Sequence, residues 1–107
     1  MKKLSEKELD EMIEEATVDC YNEDEAFAGI LVTIEDNLSF PFKAKALGDD
    51  VEVIGIDNIK SSLGRGIVAN VKKQGKMFTI GLSELEIEQD EENSKWIQMF
   101  HHWDSRY

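Results

Sequence analysis

Carboxylates dominate the residues that could do chemistry in this 107-residue chain, which holds 23 Asp and Glu. Their densest run is Asp19-Cys20-Tyr21-Asn22-Glu23-Asp24-Glu25, with a second group at Glu35-Asp36-Asn37. Clustered carboxylates suit a hard cation. Ca2+ takes about six to eight oxygens from carboxylates, carbonyls and water at a single point. An EF-hand loop would need Asp-x-[Asp/Asn]-x-[Asp/Asn]-Gly with Glu at its twelfth position. The nearest stretch, Asp49-Asp50-Val51-Glu52, lacks both the Gly and the closing Glu, so any calcium chemistry here is of a non-EF-hand kind.

Other chemistries find less support. One Cys and two adjacent histidines, His101 and His102, do not make a closed zinc site, which wants four N/S ligands at defined spacing. A Cys20–His101 nucleophilic pair can be drawn, but isolated Cys and His are usually structural. Gly64-Arg65-Gly66 is too short to cradle a phosphate and reads as turn geometry. No pair among the acids is singled out for acid–base work. The chain is therefore expected not to be an enzyme, with no catalytic residues.

The net charge of −11 points the same way. Nucleic acid and anionic membrane surfaces are bound by Lys/Arg-rich faces, and neither is an expected partner. Cations and basic protein surfaces are the natural ones. The lone Cys20 has no intramolecular disulfide partner, which implies a reducing cytoplasm. No apolar run is long enough to span a bilayer, and none follows Lys2 and Lys3 as a signal peptide requires.

The acids are positioned by helices. Ser5 with Glu8 is a capping-box pattern, and Leu9, Met12, Ile13 and Ala16 follow at helical spacing. The acids of this helix, Glu6, Glu8, Asp10, Glu11, Glu14 and Glu15, read as a solvated face. Asn22 with Glu25 opens a second helix, whose core face is Ala26, Phe27, Ile30, Leu31, Ile34 and Leu38. Glu23, Asp24 and Glu25 occupy its first turn, where the helix dipole favours negative charge with no ion required. Glu35 and Asp36 fall at its other end, where the dipole disfavours them. A Lys or Arg from elsewhere or a metal would resolve that mismatch.

After Pro41 the period changes to two. Residues 42–47, 51–56, 67–71, 77–82 and 85–87 read as five short strands, with turns at Gly48-Asp49-Asp50 and at the Lys72–Lys76 hairpin tip. Such a set suggests a small SH3-like antiparallel β-barrel. Asp90-Glu91-Glu92-Asn93-Ser94 reads as a polar break before a short C-terminal helix carrying Trp96, Ile97, Met99, Phe100 and Trp103. The expected fold is α+β: one domain over 1–107, with an acidic helical part at 1–40, a small barrel at 41–88 and a helical tail at 89–107. The charge follows this division, at −9 over residues 1–40, +3 over 41–82 and −5 over 83–107.

The order of motifs resembles the small cyanobacterial-type calcium-binding protein family. Members read Asp-Ala-Tyr, an acidic cluster, a Gly, then Leu-Glu-Asp-x-Leu-x-Phe-Pro-Phe. This chain has Asp19-Cys20-Tyr21, the cluster at 22–25, Gly29, and Ile34-Glu35-Asp36-Asn37-Leu38-Ser39-Phe40-Pro41-Phe42. Phe78 to Leu85 resembles the family's Val-Pro-Leu-x-x-Leu strand end. Trp96 to Tyr107 is similar to its Trp-His-Tyr-Trp…Gly-Tyr ending. Cys20 replaces a small residue, Gly81 a Pro, Phe100 a Trp and Arg106 a Gly. The resemblance covers roughly residues 17–107. It implies a calcium-binding protein, with Ca2+ as its cofactor, that sequesters or buffers the ion. By motif position it implies Asp19, Glu23, Glu25, Glu35 and Asp36 as metal ligands. Glu23 and Asp36 would lie about 20 Å apart on one straight helix, so they cannot share an ion. Either two sites exist, or residues such as Asp57, Asp90, Glu92 and Asp104 complete one. The competing reading is an acidic interaction module that docks on a basic protein surface or mimics nucleic acid, with no metal.

Overall fold

The computed structural model describes residues 3–87 and 90–106. Met1 and Lys2 of the N-terminal run, and Tyr107 of the closing motif, lie outside them. Three helices and five strands run in the order α1 (Glu6–Ala16), α2 (Glu23–Asn37), β1 (Phe42–Ala46), β2 (Asp49–Ile56), β3 (Val68–Lys73), β4 (Lys76–Gly81), β5 (Leu85–Glu86) and α3 (Glu91–Arg106). A single 3-10 turn, Leu82–Glu84, links β4 to β5.

Both helix starts follow from their caps. The Ser5 hydroxyl accepts from the Glu8 amide, and Asn22 Oδ1 accepts from the Glu25 amide at 2.8 Å. On α2, Phe27, Ile30 and Ile34 are buried, as is Leu38 just beyond it, whereas Leu31 is only half-buried. The two helices approach closely at Gly29. A Cβ built there would sit 2.5 Å from the Ala16 carbonyl oxygen. A side chain at this position would push the elements apart, so the Gly of the motif is a packing requirement.

The five strands form one antiparallel sheet in the order β4-β3-β2-β1-β5. Among the described residues β4 and β5 do not pair, so the barrel is not closed, while the antiparallel set remains compatible with an SH3-like description. Phe42, Ala44 and Ala46 of β1, with Val51 and Val53 of β2, face inward. The first hairpin turns one residue earlier than the sequence pattern suggests. Leu47 and Gly48 take φ of 53° and 85°, while Asp49 and Asp50 pair with Ala46 and Lys45. Two positive φ values make a tight two-residue connection, which matches the strand twist. The Lys72–Lys76 tip turns in the same way through Gln74 and Gly75.

The predicted polar break is instead the start of α3. Asp90 Oδ1 accepts from the Asn93 amide at 3.0 Å and the Asp90 carbonyl accepts from the Ser94 amide, so Asp90 acts as the N-cap. The resulting 16-residue helix buries Asn93, Ile97, Phe100 and Trp103, with Phe27 and Trp103 ring centroids 5.9 Å apart. Apolar residues from all three helices and from the sheet join in one cluster.

Candidate metal centre

The acidic run splits between a helix entry and its first turn. Asp19 lies in the connection from α1 with φ 63°, and Asn, Asp and Gly are the residues that tolerate this region best. Glu25 turns back toward the connection, its Oε2 accepting from the Tyr21 amide at 2.7 Å. Glu23, Asp24 and Glu25 are exposed in the first turn of α2. Part of their role is thereby explained by capping alone.

The opposite end of α2 has no such explanation. Glu35 is half-buried and Asp36 exposed in the last turn, which contains no basic residue. Among the described residues neither forms a salt bridge. The mismatch with the dipole seen in sequence is therefore not relieved by a Lys or Arg of that set. The last helical carbonyls also lack intrahelical donors. Carboxylate and carbonyl oxygens thus gather at the negative end of a helix.

The start of α3 is fastened to this end. Asn93 Oδ1 accepts from the Ser39 amide at 2.9 Å, its Nδ2 donates to the Ser39 carbonyl, and the same Nδ2 donates to Asp90 Oδ2 at 2.8 Å. Asp90 is thereby held close to Ser39, just past the C-terminal end of α2, whereas the exposed Glu92 pairs with Lys95 at 3.6 Å. Asp57 does something else: its Oδ1 accepts from the Lys60 amide in the loop after β2. Asp104 is exposed on the last turns of α3.

No three of Asp19, Glu23, Glu25, Glu35 and Asp36 bring their oxygens within 4.8 Å of one another among the described residues. The two ends of α2 remain separate. The one three-residue group that does converge among the described residues is Glu6, Asp10 and His102. Asp10, expected on a solvated face, instead faces α3, with its Oδ1 2.8 Å from His102 Nε2. Sequence held only a weak signal for it: Glu6 and Asp10 are four apart on a helix, but nothing in the pattern pairs α1 with α3. His101 points about 100° round the helix from His102, and its Nε2 is buried without a hydrogen-bond partner. On the sheet, Lys73 bonds Asp49 at 2.7 Å and holds its carboxyl below the usual carboxylate range.

The fold, an open antiparallel sheet with three helices, is shared with solved structures. It is similar to the crystal structure of CcbP from Anabaena, with a TM-score of 0.79 at 23% identity over 95% of this chain and 93% of that one. A second solved structure, a calcium-binding protein in the calcium-binding form, matches with a TM-score of 0.77 at 25% identity over 94% and 92%. A search of the curated proteins gives no match. Residues 10–104 match the CcbP calcium-binding family, and the chain belongs to it. The match begins inside α1 and takes in Asp10 to Ala16 of that helix, beyond the stretch of roughly 17–107 that the resemblance covers.

Proposed function

We propose that this protein sequesters or buffers Ca2+ through carboxylates at the two ends of α2. Asp19, Glu23 and Glu25 serve one end; Glu35 and Asp36, aided by main-chain carbonyls, serve the other. Membership of a calcium-binding family supports the ion. The observation that carries the location is the last turn of α2, where two acids with no ion pair among the described residues face the negative end of the dipole. A mixed carboxylate and carbonyl donor set is what Ca2+ prefers. Exposed, loosely preorganised donors put the affinity on the order of micromolar to sub-millimolar.

Ion handling rather than catalysis is the activity proposed. The chain works as one domain over 1–107, a reading supported by its continuous apolar core. No helix among the described residues is long and apolar enough to cross a membrane, and the lone Cys20 favours a reducing cytoplasm. Calorimetric titration with Ca2+ tests the site. Glu35→Gln/Asp36→Asn and Glu23→Gln/Glu25→Gln should each weaken binding about tenfold or more, equivalent to 1.4 kcal/mol. If neither double variant changes the isotherm, the ligand assignment falls.

A further inference from the structure

We propose that β4 is a docking edge for an extended acidic peptide, which adds to the sheet as a further strand. The sheet has two edges. β5 is two residues long, and so short an edge offers little to pair with. β4 runs for six residues in unbroken register with β3, with no bulge and no Pro. The Leu82 amide, which donates to the Ile67 carbonyl at 2.8 Å, fixes the parity of the ladder. Counting back in steps of two, Ile80 and Phe78 bond to β3, and the amides and carbonyls of Met77 and Thr79 point away from it. Among the described residues nothing pairs with them.

Side chains and charge select the occupant. Phe78 lies opposite the buried Val71, on the core face, yet is 50% exposed, and Met77 on the outer face is 55% exposed. An added strand would set alternate side chains beside each of them. Residues 57–81 hold one acid and five bases, a net +4 on a chain of −11. Lys60 borders the outer face of β4 with Met77 and Thr79, Arg65 borders its far end, and Lys72 stands opposite Met77. Among the described residues none of Lys60, Arg65, Lys72 and Lys76 forms a salt bridge. The nearest acids are Glu52, across from Lys72 on β2, and Glu84 beyond Gly81. Physiological salt screens charge over about 8 Å, so this basic border, rather than the acidic helices, governs what approaches the edge. A second copy would bring an equally basic edge against it. The complementary strand carries acids toward Lys60 and Lys72 and an apolar residue beside Phe78, which is an acidic and apolar alternation.

The probe is a capped peptide of about eight alternating Glu and Val residues, within the usual strand length of roughly 3–10. Its Lys–Val counterpart is the control. Titration of the full chain, read by fluorescence anisotropy of the peptide and by amide hydrogen exchange of the protein, tests the proposal. The Glu–Val peptide should bind at least tenfold tighter than the control and slow exchange at the Met77 and Thr79 amides at least tenfold. Thr79→Pro removes an outward amide without touching a bond to β3 and should weaken binding at least tenfold. Lys60→Glu/Lys72→Glu should do the same. Both lysines are exposed, so that variant reports on the edge even if Thr79→Pro disturbs the strand. Equal affinity for the two peptides, unaltered exchange at both amides, or unchanged binding by the lysine variant would overturn the assignment. So would protection of the same amides in the protein alone as its concentration rises, which would make a second copy the occupant.

Discussion

Asn93 is the residue with most influence on how the C-terminal end of α2 is held against α3. It is 1% exposed and polar, and it satisfies both the amide and the carbonyl of Ser39 across a sequence separation of 54. A buried polar group is tolerated only when its hydrogen bonds are made, and removing one partner leaves the other desolvated. Asn93→Ala should therefore destabilise the fold by about 2–4 kcal/mol, read from urea denaturation. The same variant should weaken Ca2+ binding, because it releases the segment following Glu35 and Asp36 from α3. Asp90 illustrates the limit of local reading. Its place in an acidic run suggested a loop, yet its carboxylate caps a helix. Runs of Asp, Glu, Asn and Ser serve as turns or as helix starts, and the packing of the neighbouring apolar residues decides which.

At the scale of elements, the approach of α1 to α2 sets where the acidic connection lies. Gly29 allows it, since a Cβ there would stand 2.5 Å from the Ala16 carbonyl oxygen. Gly29→Ala should cost about 1–3 kcal/mol through overpacking, more than the roughly 1 kcal/mol that Ala gains over Gly inside a helix. A lowered urea midpoint would show the net loss, and an unchanged midpoint would show that the helices separate freely. The helices themselves were readable from their caps and periodicity, and the strands from alternation. The hairpin turn at Leu47–Gly48 was displaced by one residue, because an exposed Leu at positive φ has no distinctive sequence signal. Barrel closure depends on whether the two edge strands meet, and no periodicity within a strand encodes that.

For the whole molecule, the charge is the central fact. A net −11 on 107 residues repels itself in the folded state. Bound Ca2+ relieves part of that repulsion and adds its own linkage. At free calcium 100 times the dissociation constant, one site contributes about 2.7 kcal/mol, which for a chain of this size raises Tm on the order of 10 °C. Scanning calorimetry should show this rise with Ca2+ but not with Mg2+, which demands a smaller and more rigid octahedral cage. An equal rise with both ions would mean that the acids act only as a diffuse counterion sink.

By itself, the amino-acid sequence determined the class of the fold, the calcium-binding family and the two acidic groups at the ends of α2. Each of these rests on local spacing: caps, periods of 3.6 and 2, and a run of motifs in order. Tertiary structure decided which carboxylates stand together. The five acids assigned by motif remain split along α2, whereas Glu6, Asp10 and His102 converge from segments 92 residues apart at the Asp10–His102 contact. Ligation depends on distances of a few ångströms between side chains, and those are set by how helices pack, not by their order along the chain.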